Sequence, residues 1–150
     1  MVKSFQYSKA PAHLIRRAHQ IAVALFMDEA AAFGVTPVQF AILNALMDSP
    51  GQDQVSLAAR VAFDAATSGS VIGRLETKGW VRRRSRGSAC RRKRLWITPQ
   101  GRAVALQMKR AATNTQKRLL APLEAAEREQ LTTLLGKLMA GHEGHAPFQP

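Results

Sequence analysis

Apolar residues recur every three or four positions through most of the chain, which is the period of an α-helix. In the first such stretch Leu14, Ala18, Ile21 and Leu25 share one helical face before Gly34 ends the run. The same spacing, together with the capping residues that delimit it, predicts six helices at about 11–33, 37–47, 56–61, 64–78, 99–120 and 124–140.

The predicted helix boundaries carry residues that favour helix ends. Thr36-Pro37 and Thr98-Pro99 each place a hydroxyl N-cap before a proline at the first helical position. Ser56 and Asp64 are the predicted N-caps of the third and fourth helices, and Gly79 ends the fourth. The helical segments are therefore delimited by local chemistry as well as by apolar spacing.

A β-hairpin is predicted between the fourth and fifth helices, where the helical period gives way to two short apolar strands. Trp80-Val81 begins the first strand, Leu95-Trp96-Ile97 ends the second, and Arg86-Gly87-Ser88 forms the tip. Two helices joined by a tight connection and followed by a hairpin form a winged helix-turn-helix. We expect one mainly α domain over 1–150, with this lobe at about 36–98.

The outer helices, at about 11–33 and 99–140, have larger apolar faces than such a lobe needs. Either they enlarge the core of one monomer, or they pair with a second copy of the chain. We expect the second arrangement, a homodimer whose dimerisation region is built from the N- and C-terminal helices. Such a dimer places two recognition helices about one turn of DNA apart and reads a palindromic operator.

Charge is concentrated on the predicted hairpin. The net charge is +12 and the pI is about 11.3, residues 78–102 hold ten Lys or Arg and no acid, and 77–123 contain no acidic residue. A hairpin this basic needs countercharge. The predicted partner is therefore double-stranded DNA.

Several hairpin arginines are candidate DNA contacts. Arg86 and Arg91, at the wing tip, are expected to enter a minor groove, although a solvated charged loop is the alternative. Arg83 belongs to a run of strand arginines that alternate in direction, so only some of them face a phosphate.

The helix-turn-helix offers further candidates. Arg74 stands two residues before Glu76, so a phosphate contact and an intramolecular ion pair are both open. Ser56 and Thr67 offer hydroxyls and helix N-terminal N–H groups to phosphates, or act as caps alone.

Composition argues against several other classes of protein. The chain is 46% hydrophobic, its one cysteine excludes an internal disulfide, and no apolar run approaches the ~20 residues that span a bilayer. The N-terminal sequence lacks the apolar core of a signal peptide, so we expect a cytoplasmic protein without membrane partners. His142 and His145 lack a Cys or Asp partner, so we expect no metal site. No cofactor is expected, and no nucleophile–base pair or phosphate loop indicates an enzyme.

Three segments resemble the MarR family of regulators. Thr36-Pro-Val-Gln-Phe-Ala-Ile-Leu43 resembles the helix that opens the family's DNA-binding lobe, LAARVAFDAATSGSVIGRLETKGWV (57–81) is similar to its helix-turn-helix, and Leu95-Trp-Ile-Thr-Pro-Gln-Gly101 is similar to its wing-to-helix junction. The register holds without a gap from Leu57 to Gly101, and the flanking helices also fit.

The resemblance implies a homodimeric repressor that releases DNA when it binds a small aromatic or phenolic acid. In the family, the first helix lines the effector pocket and faces the second helix and the dimer partner. His13, Arg16 and Arg17 share one side of that helix here, so the resemblance makes them candidates to bind a carboxylate, with Phe40 or Phe33 covering the ring. The alternative is a polar face paired with acids or solvent.

The chain departs from the family pattern at the wing and in the recognition helix. The family's wing Asp-x-Arg is replaced by Ala89-Cys90-Arg91, which keeps the arginine without its acidic brace; no redox role is predicted for Cys90. The recognition helix begins with small residues where many members carry larger polar ones. We expect them to approach the base edges closely, with few bidentate contacts; the candidates are Ala65, Ala66, Thr67, Ser68 and Ser70.

The leading hypothesis is thus a ligand-responsive transcriptional repressor. The alternative is a constitutive nucleic-acid-binding or architectural protein without an effector, for which the charge alone suffices. A defined palindromic footprint discriminates the two.

Overall fold

Six α-helices and one antiparallel hairpin are present in the computed structural model, which describes residues 6–61, 65–85, 93–142 and 144. The elements in chain order are α1 (Pro11–Ala30), α2 (Pro37–Asp48), α3 (Gln54–Arg60), α4 (Ala65–Thr77), β1 (Val81–Ser85), β2 (Lys93–Ile97), α5 (Pro99–Leu119) and α6 (Ala125–Ala140), with 3₁₀ turns at Tyr7–Lys9 and Ala31–Phe33. This order confirms the predicted fold: α3 and α4 are the helix-turn-helix pair, and β1 and β2 are the wing.

Most predicted helix ends are confirmed by the bonds that make them. Thr36 and Gln39 form a capping box: the Gln39 N–H donates to Thr36 Oγ1 at 3.3 Å, and the Thr36 N–H donates to Gln39 Oε1 at 3.2 Å. Thr98 Oγ1 accepts from the Gly101 N–H at 3.0 Å. Gly34 follows the α1 segment with φ +60°, a conformation that glycine adopts without strain.

The predicted cap at Ser56 is wrong. The N-cap of α3 is Asp53, whose Oδ1 accepts from the Ser56 N–H at 3.0 Å and whose Oδ2 accepts from Ser56 Oγ at 2.9 Å. The helix therefore begins at Gln54, because the carboxylate of Asp53, three residues before Ser56, accepts from the Ser56 N–H at the start of the helix. The predicted cap at Asp64 lies outside the described residues.

The hydrophobic core lies where α2, α4, the hairpin and α5 meet. Its largest fully buried apolar side chains come from α2, α3, α4, β2 and α5: Ile42, Leu43, Leu46, Leu57, Ile72, Leu75, Leu95 and Met108. Because α4 buries Ile72 and Leu75 here, the opposite face of the recognition helix is directed outward.

The hairpin is fixed at its base by a third strand-like segment. Its register runs from Val81 opposite Ile97 to Ser85 opposite Lys93. On the outer edge of β2, Leu95 accepts from the Gly51 N–H at 2.9 Å and donates to the Gln52 carbonyl at 2.8 Å. The α2–α3 loop is therefore hydrogen-bonded to the base of the wing.

The wing base also lies very close to the start of α5. The Thr98 N–H donates to the Trp80 carbonyl oxygen at 2.9 Å. Gly101 is buried one helical turn later, and a Cβ atom built on it would lie 2.1 Å from that same oxygen. Only glycine fits this approach, so the sequence Thr-Pro-Gln-Gly closes the wing onto α5.

α1 packs along α5 and is joined to it by polar bonds at its C-terminal end. Asn114 Nδ2 donates to Glu29 Oε2 at 3.1 Å, and Arg118 donates to Glu29 Oε1 at 3.0 Å and to Asp28 Oδ2 at 3.3 Å. The hydrogen bonds from Asn114 and Arg118 lower the pKa of the Glu29 carboxyl below its ordinary value.

The outer helices leave large apolar side chains exposed in one chain. α1 buries only Phe26 and Ala30, and α6 buries none of its residues. The exposed set on these two helices includes Leu14 at 52%, Ile21 at 49%, Leu131 at 37%, Leu135 at 39% and Leu138 at 47%. The apolar faces predicted for these helices are thus present and largely uncovered.

No single helix in the described part of the chain is long and apolar enough to cross a bilayer; Pro11–Phe33 and Pro37–Asp48 meet that criterion only when taken together, across a bend of 77°.

Candidate nucleic-acid interface

The outward face of α4 is formed by three of the predicted contact residues. Thr67, Ser70 and Arg74 recur at helical spacing, and all three are exposed. Small hydroxyl residues near the start of a helix and a guanidinium further along it suit a surface that meets base edges and then a phosphate. The structure thus brings these three candidates onto one face.

The prediction for Ser68 is wrong. Its side chain is fully buried, and its Oγ has no hydrogen-bond partner among the described residues. Residue 68 lies on the same stripe of α4 as Ile72 and Leu75, which both face the core. Its hydroxyl therefore cannot reach a base edge while α4 is packed.

Ser56 is exposed on α3, but its donors are already used. Its N–H and its hydroxyl both donate to Asp53, whose pKa is lowered by these bonds, the backbone one first. The predicted offer of both donors to a phosphate is therefore wrong, because they face a carboxylate instead. Ala65 and Ala66 begin α4 as predicted, and their side chains lie outside what the structure describes.

The ion pair between Arg74 and Glu76, one of the two predicted alternatives for Arg74, is not formed, because Glu76 pairs with Arg83. Arg83 Nε donates to Glu76 Oε2 at 2.9 Å, with both side chains about one-third exposed (31% and 30%). Arg74 makes no ion pair or hydrogen bond with any residue that the structure describes. Arg74 is thus available to an external anion, whereas one donor of Arg83 is occupied.

The strand arginines diverge as their alternation predicts. Arg82 lies opposite Trp96 and Arg84 opposite Arg94 on one face, whereas Arg83 pairs with Leu95 on the other. Arg94 also donates to the Gly51 carbonyl oxygen at 2.9 Å, which holds it at the wing base. The two wing-tip candidates, Arg86 and Arg91, lie outside the described residues, as does Cys90.

A surface groove runs along one side of the recognition helix, between α4 and the N-terminal end of α2. It has a volume of about 450 Å³. Its lining residues are Gln39, Ser70, Gly73, Arg74, Thr77 and Lys78. Lys78 Nζ also donates to the Gly34 carbonyl at 3.1 Å and lies 4.4 Å from the centre of the Trp80 ring.

Sequence reasoning singled out neither Lys78, Gln39 nor Gly73 for this groove. The only signal available was the spacing of residues 70, 73, 74, 77 and 78, which marks one helical stripe. Its opposing wall comes from Gln39, more than 30 residues earlier in the chain.

The predicted effector residues are not brought together within one chain. Phe40 packs against Phe26, with ring centroids 5.6 Å apart. His13 lies 13 residues before Phe26 on α1, which corresponds to about 20 Å along the helix axis. The expectation that Phe40 covers a ring held by His13 is therefore wrong for a single chain.

The polar side of α1 is nevertheless present. Arg16 and Arg17 are exposed, and Arg17 donates to Gln20 Oε1 at 3.0 Å. The His13 ring lies 4.6 Å from the Tyr7 ring, and its buried Nδ1 has no hydrogen-bond partner among the described residues. The two guanidinium groups can bind an anion, whereas the His13 Nδ1 is covered by the chain itself.

No cluster of three or more His, Cys, Asp or Glu side chains suited to a metal ion occurs in the described ranges. His145, one of the two histidines considered in the sequence, is outside those ranges.

Sequence comparisons place the chain beside transcriptional regulators. A family profile described as MarR family matches residues 33–91. The transcriptional regulator HosA of Escherichia coli is 30% identical over 105 residues, which cover 70% of this chain and 78% of HosA.

Two solved structures that match nearly the whole of this chain are described in terms of DNA binding. BpsR of Bordetella bronchiseptica, whose DNA binding is regulated by 6-hydroxynicotinic acid, has a TM-score of 0.85 and 30% identity, and the match covers 92% of this chain and 99% of BpsR. The transcriptional repressor CouR, bound to a 23-mer DNA duplex, has a TM-score of 0.81 and 26% identity, covering 93% of this chain and 99% of CouR.

Proposed function

Because the chain belongs to the MarR family of transcriptional regulators, we propose that it is a homodimeric repressor that binds a palindromic operator and releases it when a small aromatic acid binds. The observation that carries the DNA-binding part is the exposed face Thr67–Ser70–Arg74 of α4 beside a hairpin in a stretch without acidic residues. In this proposal the lobe at 36–98 binds DNA in the cytoplasm, and the helices at 11–33 and 99–140 hold the dimer.

The homodimer is supported by the uncovered apolar side chains of α1 and α6. Burying them against a second copy removes apolar surface from water, at about 25 cal/mol per Å². Light scattering at micromolar concentration should give the mass of two chains. Leu131→Glu combined with Leu135→Glu should yield monomers, whereas Thr133→Glu, an exposed polar site on the same helix, should not. A wild-type monomer refutes the dimer.

DNA contacts divide between the recognition helix and the wing. Thr67 and Ser70 read base edges, Ala65 and Ala66 permit the close approach, and Arg74, Arg86 and Arg91 contact the backbone or a minor groove. Arg91→Ala should weaken binding to all sequences, by about 1–3 kcal/mol. Ser70→Ala should instead change the ranking of operators selected from random duplexes. Unchanged affinity of Arg91→Ala at physiological salt contradicts the wing assignment.

The effector proposal is supported by the similarity to BpsR and by the cationic side of α1. Arg16 and Arg17 offer planar guanidinium groups to a carboxylate, and His13, one helical turn away, binds a second oxygen through Nε2, because its Nδ1 is buried. Since Phe40 packs against Phe26, which lies about 20 Å along α1 from His13, we infer that a pocket containing both His13 and Phe40 takes one of them from a second copy.

A gel-shift titration tests this release with 6-hydroxynicotinate as the probe. Wild-type protein should dissociate from its operator as the acid is added, because binding shifts the dimer toward a form that fits DNA poorly. Arg16→Ala combined with Arg17→Ala should bind the operator and resist the acid. The same dose response in both proteins places the pocket elsewhere.

The alternative, a constitutive nucleic-acid-binding protein, is favoured only by the net charge of +12. It predicts similar affinity for all duplexes, whereas a repressor should bind its operator at least ~10³-fold more tightly than random DNA. We also propose that the protein is not an enzyme. Assays with candidate aromatic acids should therefore show binding without turnover.

A further inference from the structure

We propose that Gln54, the first residue of α3, is a specificity-determining residue that reads an A·T base pair in each half of the operator. The inference rests on the proposed function, because it takes α4 to enter the major groove of DNA. It goes beyond the contacts assigned above, which all belong to α4 or to the wing.

The side chain of Gln54 lies against the backbone of α4 at Gly69. A Cβ atom built on Gly69 would lie 2.9 Å from Gln54 Nε2 and 3.9 Å from Gln54 Cδ. The Gln54 amide therefore occupies the space that a side chain at position 69 would fill. A residue of α3 is thus placed directly on the recognition helix.

The approach of Gln54 gives a reason for a glycine inside the recognition helix. Glycine destabilises a helix interior relative to alanine, and the φ angle of Gly69 is not positive, so the backbone itself does not require glycine there. A side chain at position 69 would meet the Gln54 amide, whereas a Cβ atom built on Gly73, one turn later, would meet nothing within 4 Å. Gly69 therefore leaves room for a side chain from another helix.

The Gln54 amide lies beside the surface proposed to meet DNA. Gly69 is followed by Ser70, whose exposed side chain belongs to that surface. Gln54 and Gly69 are each partly exposed, and Val55, next to Gln54, is 71% exposed. In a helix-turn-helix the N-terminal part of the second helix meets the base edges, so an amide placed against this part of α4 is within reach of them.

An amide supplies the bidentate chemistry that the small residues of α4 lack. Thr67 and Ser70 each carry a single hydroxyl, whereas a glutamine presents a donor and an acceptor side by side, which match N7 and the N6 amino group of adenine. The lobe at 36–98 has four amide side chains, and three of them bond to the backbone at the ends of α2 or within it: Gln39, Asn44 and Gln52. Gln54 is the amide that the fold places at the DNA-facing helix.

Selection of operators from random duplexes tests this role through two substitutions with different outcomes. Wild type should enrich a palindrome with a fixed A·T pair in each half-site. Gln54→Ala should reduce the preference for that pair by about ten-fold or more and leave the other positions unchanged. Gln54→Glu should replace A·T by C·G at the same position, because a carboxylate accepts from the N4 amino group of cytosine. Gln107→Ala, which removes an exposed glutamine of α5, is the matched control and should select the wild-type operator.

Gly69→Ala tests the placement of the amide without removing it. The added methyl meets the end of a flexible side chain and no backbone atom of α3, so this variant should fold with a Tm at or above that of wild type. It should weaken the preference for the same A·T pair, because the Gln54 amide is displaced. Gly73→Ala adds a methyl to the same helix where nothing lies within 4 Å, and it should keep the preference.

The inference is overturned if Gln54→Ala selects the wild-type operator with the same base ratios. It is also overturned if Gln54→Ala lowers the affinity for every duplex by one factor, which makes Gln54 a phosphate contact. In both cases wild type still enriches a palindrome and the DNA-binding proposal stands. If wild type enriches no sequence, the DNA-binding proposal fails, and the role of Gln54 fails with it.

Discussion

Replacement of Gly101 by alanine tests how closely the wing base packs on α5. The new Cβ would lie 2.1 Å from the Trp80 carbonyl oxygen and 2.9 Å from its carbon. Both atoms are backbone, so no side chain can rotate away. Either α5 or the Trp80 segment must shift by about 1 Å to restore ordinary contact distances.

The expected cost follows from these contacts. Overpacking a filled site costs about 1–3 kcal/mol. The shift also weakens the Thr98 N–H bond to the Trp80 oxygen, which contributes about 1 kcal/mol. Alanine regains up to ~1 kcal/mol of helix propensity, so we expect a net loss of about 2 kcal/mol. In a chain of this size that lowers Tm by about 4–8 °C.

Urea unfolding followed by circular dichroism measures the loss, at one protein concentration because a dimer makes stability depend on it. Gly73→Ala is the matched control: it makes the same substitution inside a helix, where the added methyl meets no atom within 4 Å. It should gain about 0.5–1 kcal/mol. If Gly101→Ala and Gly73→Ala have the same midpoint, the close approach at the wing base is not real.

Three further substitutions test other contacts. Glu76→Gln frees the Arg83 guanidinium and removes a negative charge, so filter binding should show higher non-specific DNA affinity and a salt dependence steeper by up to about 0.9 in log–log slope; an unchanged slope contradicts this. Thr36→Ala removes the capping hydroxyl of α2 and should cost about 1 kcal/mol in urea unfolding, whereas Thr36→Ser should cost little. The pKa of Glu29 is lowered by its hydrogen bonds, that from Asn114 first, so its contribution to stability is present above its ordinary value of 4.5 and is lost as pH falls through the lower folded pKa. The stability difference between wild type and Glu29→Gln should therefore shrink in acid, and a constant difference refutes the linkage.

Local chemistry was sufficient to predict most helix boundaries and the hairpin. Thr36 and Thr98 could be predicted as caps because each hydroxyl accepts from a backbone N–H only three residues further along the chain. In β2 burial alternates, with Leu95 buried between the exposed residues Arg94 and Trp96. Such features depend on residues close in sequence.

The error at Ser56 came from a choice that local chemistry leaves open. Asp53 and Ser56 both favour an N-cap, and they stand three residues apart. The loop before α3 is fixed by hydrogen bonds between Gly51, Gln52 and Leu95, which is more than 40 residues away in sequence. The helix starts where Asp53 forms the cap, and the sequence alone did not rank Asp53 above Ser56.

The errors at Ser68 and Phe40 differ in origin. Residues 68, 72 and 75 share a helical stripe, so the phase of Ile72 and Leu75 already implied that Ser68 faces inward. The separation of His13 from Phe40 has no such local signature, because it depends on Phe26, which holds Phe40 near the far end of α1. Helical phase predicts which face a residue occupies, whereas packing between helices decides which faces meet.

Both tryptophans of the chain lie at the base of the wing, and this makes the protein's intrinsic fluorescence a local signal. Trp80 is 9% exposed with the Lys78 ammonium 4.4 Å from its ring centre, and Trp96 is 36% exposed with its ring against Gly51. Emission from indole therefore follows the wing and its junction with α5, whereas far-ultraviolet dichroism follows all the helices, including α1 and α6. If the two signals unfold with different midpoints, the lobe and the outer helices melt as separate cooperative units.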